Sequence, residues 1–128
     1  DATGGAVFFA AGVFYYFLTE QVRALVGAMA RAFPGGKLVF DAANQKAVKL
    51  MLKTWIKDAE IKNVGAYFAV SDAVRELSPW AEGMRVSSRG YMLGYHDLKD
   101  PSVSGFFRFL ARVGDNMMKM QIVRLDFA

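Results

Sequence analysis

No cysteine occurs in this sequence and only one histidine. The first absence excludes a disulfide framework and thiolate metal sites, and it fits a reducing compartment, so a cytoplasmic location is expected. The second makes a metal centre hard to assemble, because catalytic metals need several histidines, cysteines or carboxylates converging; no metal is expected. A Ser-His-Asp arrangement would have to use His96 as its base. A lone histidine beside Asp97 reads first as an ordinary loop residue, although its titration range suits a proton shuttle.

Long apolar runs are scarce as well. The stretch Ala6–Leu18 has thirteen residues, whereas a membrane-spanning helix needs about 20, so no membrane span is expected. Its length suits a signal-peptide core. The preceding "DATGG" carries an acid and no base, however, and no small-x-small cleavage site follows, which argues against one. No G-x-G-x-x-G occurs either, so the chain shows no dinucleotide or adenosyl fingerprint of its own. The glycines of "FPGGKLVF" follow a helix and precede a strand, the reverse of a phosphate-binding turn, and read as a helix stop. "TGGAV" likewise leads into a strand.

What is present suits one compact domain. At 128 residues, 54% apolar and 22% charged, the chain can bury roughly two-thirds of its unfolded surface. Its net charge of +4 permits attraction to polyanions. Lys46, Lys49, Lys53 and Lys57 fall on one helical face, where they form either a phosphate-contacting stripe or the solvated back of an amphipathic helix. No aromatic residue alternates with them as a base-stacking surface requires, so nucleic acid is not the expected partner.

Strands and helices alternate along the chain. Val7 to Val13 reads as a short strand, apolar on both faces and therefore of the buried type. Thr19 is placed to cap a helix from Glu20 to about Phe33, striped by Val22, Leu25, Val26, Met29 and Phe33. Lys37 to Ala42, "KLVFDA", is a second buried strand. Asn44 caps a helix from about Gln45 to Ile61, striped by Val48, Met51, Leu52, Trp55 and Ile56. Two strand-then-helix units in series point to a parallel, doubly wound α/β sheet. Ser71 and Asp72 open a short helix to about Leu77, interrupted at Pro79, and Met84 to Tyr95 reads as a third strand. Val103, Phe106, Phe107 and Leu110 stripe a further helix with Arg108 and Arg112 on its outer side, ended by Gly114 to Asn116. Met118 to Phe127 is the last strand. Its polar positions change phase between Gln121 and Arg124, which suggests a bulge or a two-sided buried centre.

The chemistry concentrates at the carboxyl end of the first strand, "AAGVFYYF". Ligands of open α/β sheets lie outside the carboxyl ends of the strands. Gly12 permits close approach, and Phe14, Tyr15 and Tyr16 place aromatic faces beside it. These aromatics either pack as core or line a pocket.

Over Val7 to Ala42, "VFFAAGVFYYFLTEQVRALVGAMARAFPGGKLVFDA", the sequence resembles the class I S-adenosylmethionine-dependent methyltransferases. Within them it is most similar to the leucine carboxyl methyltransferase group and its polyketide O-methyltransferase relatives. That group shows an apolar strand running into Glu-Gly-Val, a conspicuous Tyr, a helix with a Thr-Glu start, then "FPGG" and a strand ending in Phe-Asp. Gly12, Val13, Tyr16, Thr19, Glu20 and Leu38 to Asp41 match, while Ala11 stands at the glutamate position.

The resemblance implies a partial Rossmann-like sheet, with strands equivalent to the family's fourth, fifth, sixth and seventh, the last antiparallel, and flanking helices. It implies a single unit corresponding to the carboxy-terminal half of a methyltransferase, without the Gly-rich turn and acidic residues by which the first strands make the cofactor site. In the parent enzyme S-adenosylmethionine would give its methyl group to an oxygen of a small molecule or carboxylate, and this chain would be inactive alone. Ala11, Gly12, Val13 and Phe14 would border the cofactor. Tyr16, Arg89, Tyr91 and His96 are acceptor-side candidates from their residue chemistry. A homo-oligomer is expected through the Val7 to Val13 strand or an uncovered sheet face. The rival expectations are a non-catalytic α/β binding or self-association module, and a polyanion-binding domain that uses the lysine face.

Overall fold

The computed structural model describes residues 5–55, 66–91, 101–102 and 104–128. Its centre is one mixed sheet in the order β1-β2-β4-β3, built from β1 (Val7–Ala10), β2 (Lys37–Ala42), β3 (Arg85–Gly90) and β4 (Gln121–Asp126). β1 and β2 run parallel, with Val7 opposite Lys37 and Ala10 opposite Phe40. β4 lies between β2 and β3 and is antiparallel to both. The fold is thus a small α/β arrangement with a parallel pair at one side of the sheet.

β1 ends at Ala10, three residues short of the span expected to Val13. Gly12 turns the chain out of the strand, and Phe14–Tyr16 form a single 3-10 turn. Nor is β1 buried on both faces: Phe8 and Ala10 are half-buried, whereas Val7 is exposed and Phe9 is 77% exposed. β2 shows the same alternation, with Leu38, Phe40 and Ala42 buried and Lys37, Val39 and Asp41 half-exposed. The apolar residues on the outer face of these strands read as a second core, and no element among the described residues covers them.

The inner face carries the main core. α1 (Thr19–Ala32) and α3 (Ala73–Leu77) set Val22, Val26, Ala73 and Leu77 over Leu38, Phe40, Val123 and Leu125. Phe14, Phe40 and Phe68 meet in tilted and edge-on ring pairs at centroid distances of 5.1 to 6.0 Å, and Trp80 extends the group at 5.9 Å from Phe68. Offset and edge-on arrangements are those the ring quadrupoles favour.

The cap of α1 falls one residue earlier than expected. Leu18 precedes the first helical residue, Thr19, and the Gln21 side chain accepts from the Leu18 N–H at 2.9 Å. The polar end is therefore satisfied from inside the helix rather than by the threonine hydroxyl. Leu25 stands out of the stripe and is exposed. At the far end Gly36 donates to Phe33 O at 2.9 Å, and a Cβ there would stand 2.9 Å from that oxygen, so the turn admits only glycine.

α2 (Gln45–Trp55) makes a smaller core of Ala47, Val48 and Leu52 against Tyr15 and Ala43. Asn44 is its cap, accepting from Ala47 N at 3.1 Å, and its amide donates to Met117 O at 2.8 Å. Lys46, Lys49 and Lys53 are exposed. Ile56 and Lys57 lie outside the described residues, as do Tyr95, His96 and the expected end of the third strand.

β4 contains no bulge. Its register with β2 and β3 is continuous, and its exposure alternates strictly. The apparent phase change is Gln121, an inward-facing amide that donates to Val70 O, Ser71 O and Lys119 O at 3.1 to 3.4 Å. A buried amide is tolerated where carbonyls receive its hydrogens. α4 (Gly105–Arg112) is capped by Ser104, whose Oγ accepts from Phe107 N at 3.1 Å, and continues as a π-helical turn over Val113–Met117. Its apolar stripe faces outward: Ala111 is buried, while Phe106, Phe107 and Leu110 are exposed. The periodicity marks the helix correctly, but a stripe does not say which side the body takes.

Candidate functional site

Because β1 and β2 are parallel, their carboxyl ends stand side by side at one rim of the sheet. Gly12, just beyond β1, has φ +65°, a left-handed conformation that glycine adopts without a Cβ penalty. Nothing lies within 4 Å of the position a Cβ would take, so the requirement is conformational rather than steric. Its N–H donates to Asp41 Oδ1 at 2.7 Å, and the Tyr15 hydroxyl donates to Asp41 Oδ2 at 2.9 Å. One carboxylate at the end of β2 therefore holds both the turn after β1 and the aromatic turn that follows.

Hydrogen bonds to a carboxylate are charge-assisted and short, which makes this junction firm. Burial pushes the Tyr15 phenol well above its ordinary pKa, and the hydrogen bond to Asp41, the charge of Asp41 and nearby Tyr91 push it further. Tyr15 accordingly meets Asp41 as a neutral phenol that donates its hydrogen to the carboxylate. Each Asp41 oxygen, having accepted one hydrogen, keeps acceptor capacity for a ligand.

A cleft of about 370 Å³ opens beside this junction at the outer face of the sheet, lined by Phe9, Ala10, Ala11, Gly12, Val39, Phe40, Asp41, Tyr91 and Ile122. It is mainly apolar, with the Asp41 carboxylate and the Tyr91 phenol as its polar groups. A groove of about 440 Å³ continues from it across Val39 and Ile122 to Ser87, Arg89 and Arg124. Pockets of a few hundred cubic ångströms with a few placed polar groups are of the size that holds small ligands. At the far end of this face Asp126 accepts from Lys37 Nζ at 2.8 Å and from Arg124 Nε and Nη2 at 2.9 and 2.8 Å. The Arg124 hydrogen bonds, and then that from Lys37, lower the Asp126 carboxyl to about 2.

The structure separates the residues singled out in the sequence. Ala11 and Gly12 line the cleft. Val13 and Phe14 turn to a different apolar groove, shared with Phe17, Gln21 and Leu25, and the Phe14 ring is core. Tyr91 lines the cleft and Arg89 the adjoining groove, so these two acceptor-side candidates share a face. Tyr16 is exposed in the 3-10 turn and does not line the cleft. His96 lies outside the described residues.

The sequence places Tyr15 among the aromatics beside Gly12 and Asp41 in the matching stretch Leu38 to Asp41, but it does not join the two in one hydrogen-bonded junction. The available signal was an acid closing an otherwise apolar strand at the carboxyl end of a parallel pair. Among the described residues no group of three His, Cys, Asp or Glu could hold a metal ion, and no helix is long and apolar enough to cross a membrane. The chain matches no protein-family model, no curated protein and no solved structure.

Proposed function

We propose that this chain is the carboxy-terminal portion of an S-adenosylmethionine-dependent methyltransferase, in which β1, β2, β3 and β4 correspond to the family's fourth to seventh strands. The observation that carries this reading is the Gly12–Asp41–Tyr15 junction, which holds open a cleft at the carboxyl ends of a parallel strand pair. The antiparallel final strand supports it as well.

The residues present fit the nucleoside part of the cofactor. Phe9, Val39 and Ile122 offer an apolar bed, Tyr91 an aromatic face, and Asp41 acceptor capacity for sugar hydroxyls. Among the described residues no Gly-rich turn opens a helix to hold the amino-acid part, and we propose that the chain does not transfer a methyl group alone. When bound, the cofactor supplies an electrophilic methyl on a sulfonium. The chain's own share is positional: Gly12 lets the ligand approach the backbone, and Asp41 fixes that turn. Arg89 draws a carboxylate-bearing acceptor toward the same face. Holding the reacting groups in line is the main requirement of such a transfer.

Titration calorimetry of the 128-residue chain with adenosine and, separately, S-adenosylhomocysteine tests this. Saturable binding of both, within about threefold of each other and lost in Asp41→Asn, is the expected result, since a threefold difference is under 1 kcal/mol. Absence of binding to either overturns the reading.

A second reading is a non-catalytic α/β module that self-associates, favoured by β1 being an edge strand among the described residues, with Phe9 77% exposed. Unpaired strand edges template pairing with another copy. Association abolished by Phe9→Lys, with no nucleoside binding, would select it.

A further inference from the structure

α4 and the π-helical turn after it carry Phe106, Phe109, Leu110, Val113 and Met117 at steps of three, one, three and four. At about 100° per residue these form one stripe, and Ala111 and Asp115, the buried residues of this segment, lie on the opposite side. The helix is therefore seated on its small and polar side and turns its large apolar side to solvent. Phe106 is 71%, Phe109 60%, Leu110 49% and Met117 68% exposed.

We infer that this stripe pairs with the same stripe of a second copy, as an antiparallel helix pair about a two-fold axis. The area supports this occupant. Taking about 200 Å² for each large side chain when fully exposed, the four present roughly 450 Å² per copy, and a symmetric pair covers at most roughly 900 Å², just under the ~1,000 Å² of a stable specific interface and of the size of a weak, reversible one.

Charge supports it too. Arg108 and Arg112 lie more than about 100° round the helix from the centre of the stripe, so two-fold pairing does not bring them together. They are not set as a cationic border along both sides of the stripe, which an anionic lipid surface would favour. Antiparallel packing sets Phe106 of one copy against Met117 of the other, an aromatic–thioether contact that is favourable in itself. This interface is separate from the β1 edge and the cleft and does not depend on the methyltransferase reading.

Sedimentation equilibrium of the chain from about 1 µM to about 1 mM tests the inference, a small apolar interface of this size being expected to dissociate in the micromolar range. Phe106→Asp and Phe109→Asp should each raise the dissociation constant at least about tenfold with an unchanged far-ultraviolet circular dichroism spectrum, while Phe9→Lys should leave it unchanged. The chain has no cysteine, so the double variant Phe106→Cys/Met117→Cys reports geometry directly. Its two thiols are about 16 Å apart along one helix and cannot pair within a chain, and oxidation should give a disulfide-linked dimer. A monomer at every concentration overturns the inference. So does a dimer dissociated by Phe9→Lys but not by Phe109→Asp, or oxidation that gives no linked dimer. Sedimentation with phosphatidylserine-containing vesicles by a chain that is monomeric without them overturns it in favour of a lipid surface.

Discussion

The two faces of the same four strands obey different rules. On the inner face Leu38, Phe40, Val123 and Leu125 are at most 2% exposed, under α1, α3 and the ring cluster. One residue along each strand, on the outer face, stand Phe9, Val39, Ile122, Arg124 and Lys37, with no described element above them. Strand alternation places both sets in one short stretch, so apolar character alone does not reveal which face is core. The inner face holds the fold together. The outer face holds the cleft, the Asp126 ion pairs and the candidate ligand contacts.

The sharpest way to break this comparison is to truncate one phenylalanine on each face. Phe40→Ala should cost about 3–5 kcal/mol in urea unfolding, because it removes a ring from a packed core and leaves a cavity. Phe9→Ala should change stability by no more than about 0.5 kcal/mol. Comparable losses from the two would mean that the outer face is core as well.

A smaller effect belongs to the buried amide of β4. Gln121→Leu should cost about 1–3 kcal/mol, since Val70 O, Ser71 O and Lys119 O lose their donor. Thermal unfolding of the two proteins reads this directly, and an equally stable leucine variant would show that the carbonyls are satisfied elsewhere.

Tyr15→Phe should cost about 1 kcal/mol at neutral pH, the ordinary worth of one hydrogen bond, or somewhat more because its acceptor is charged. It should also change the alkaline limb. The folded phenol has a raised pKa, so its stabilising contribution is complete below the unfolded value of about 10 and is lost as pH rises above it. The phenylalanine variant should lack this part of the alkaline decline in melting temperature.

The smallest effect is on the outer face itself. Asp126 has a lowered carboxyl pKa of about 2. Its contribution is therefore present above the unfolded value of about 4 and is lost as pH falls toward 2. Asp126→Asn should melt slightly lower than the parent at pH 7 and coincide with it near pH 2. A gap that persists in acid would assign the effect to packing rather than charge.

Much of this organisation is legible in the residues. The alternation of strands and helices, the Asn44 cap and the helix stop at "FPGG" follow from side chains acting on nearby backbone, and local causes leave local signatures. The orientation of α4 and the exposure of Phe9 depend on what packs above them, which no local pattern encodes. The Gln121 phase break shows the same limit: an amide satisfied by Val70 and Ser71, some 50 residues earlier, looks in sequence like a bulge. At the site, Gly12 was legible from its conformational freedom. Asp41 gains its meaning only when the parallel pairing of β1 and β2 brings it to that turn.

The measurement that tests the central claim most directly is an amide-resolved nuclear magnetic resonance titration with S-adenosylhomocysteine. If the cleft at the carboxyl ends of β1 and β2 takes the nucleoside, shifts should centre on Ala11, Gly12, Tyr91 and Ile122, with the Gly12 N–H, bonded to Asp41, among the largest. No shift at these residues, or shifts confined to the face of Lys46, Lys49 and Lys53, would contradict it.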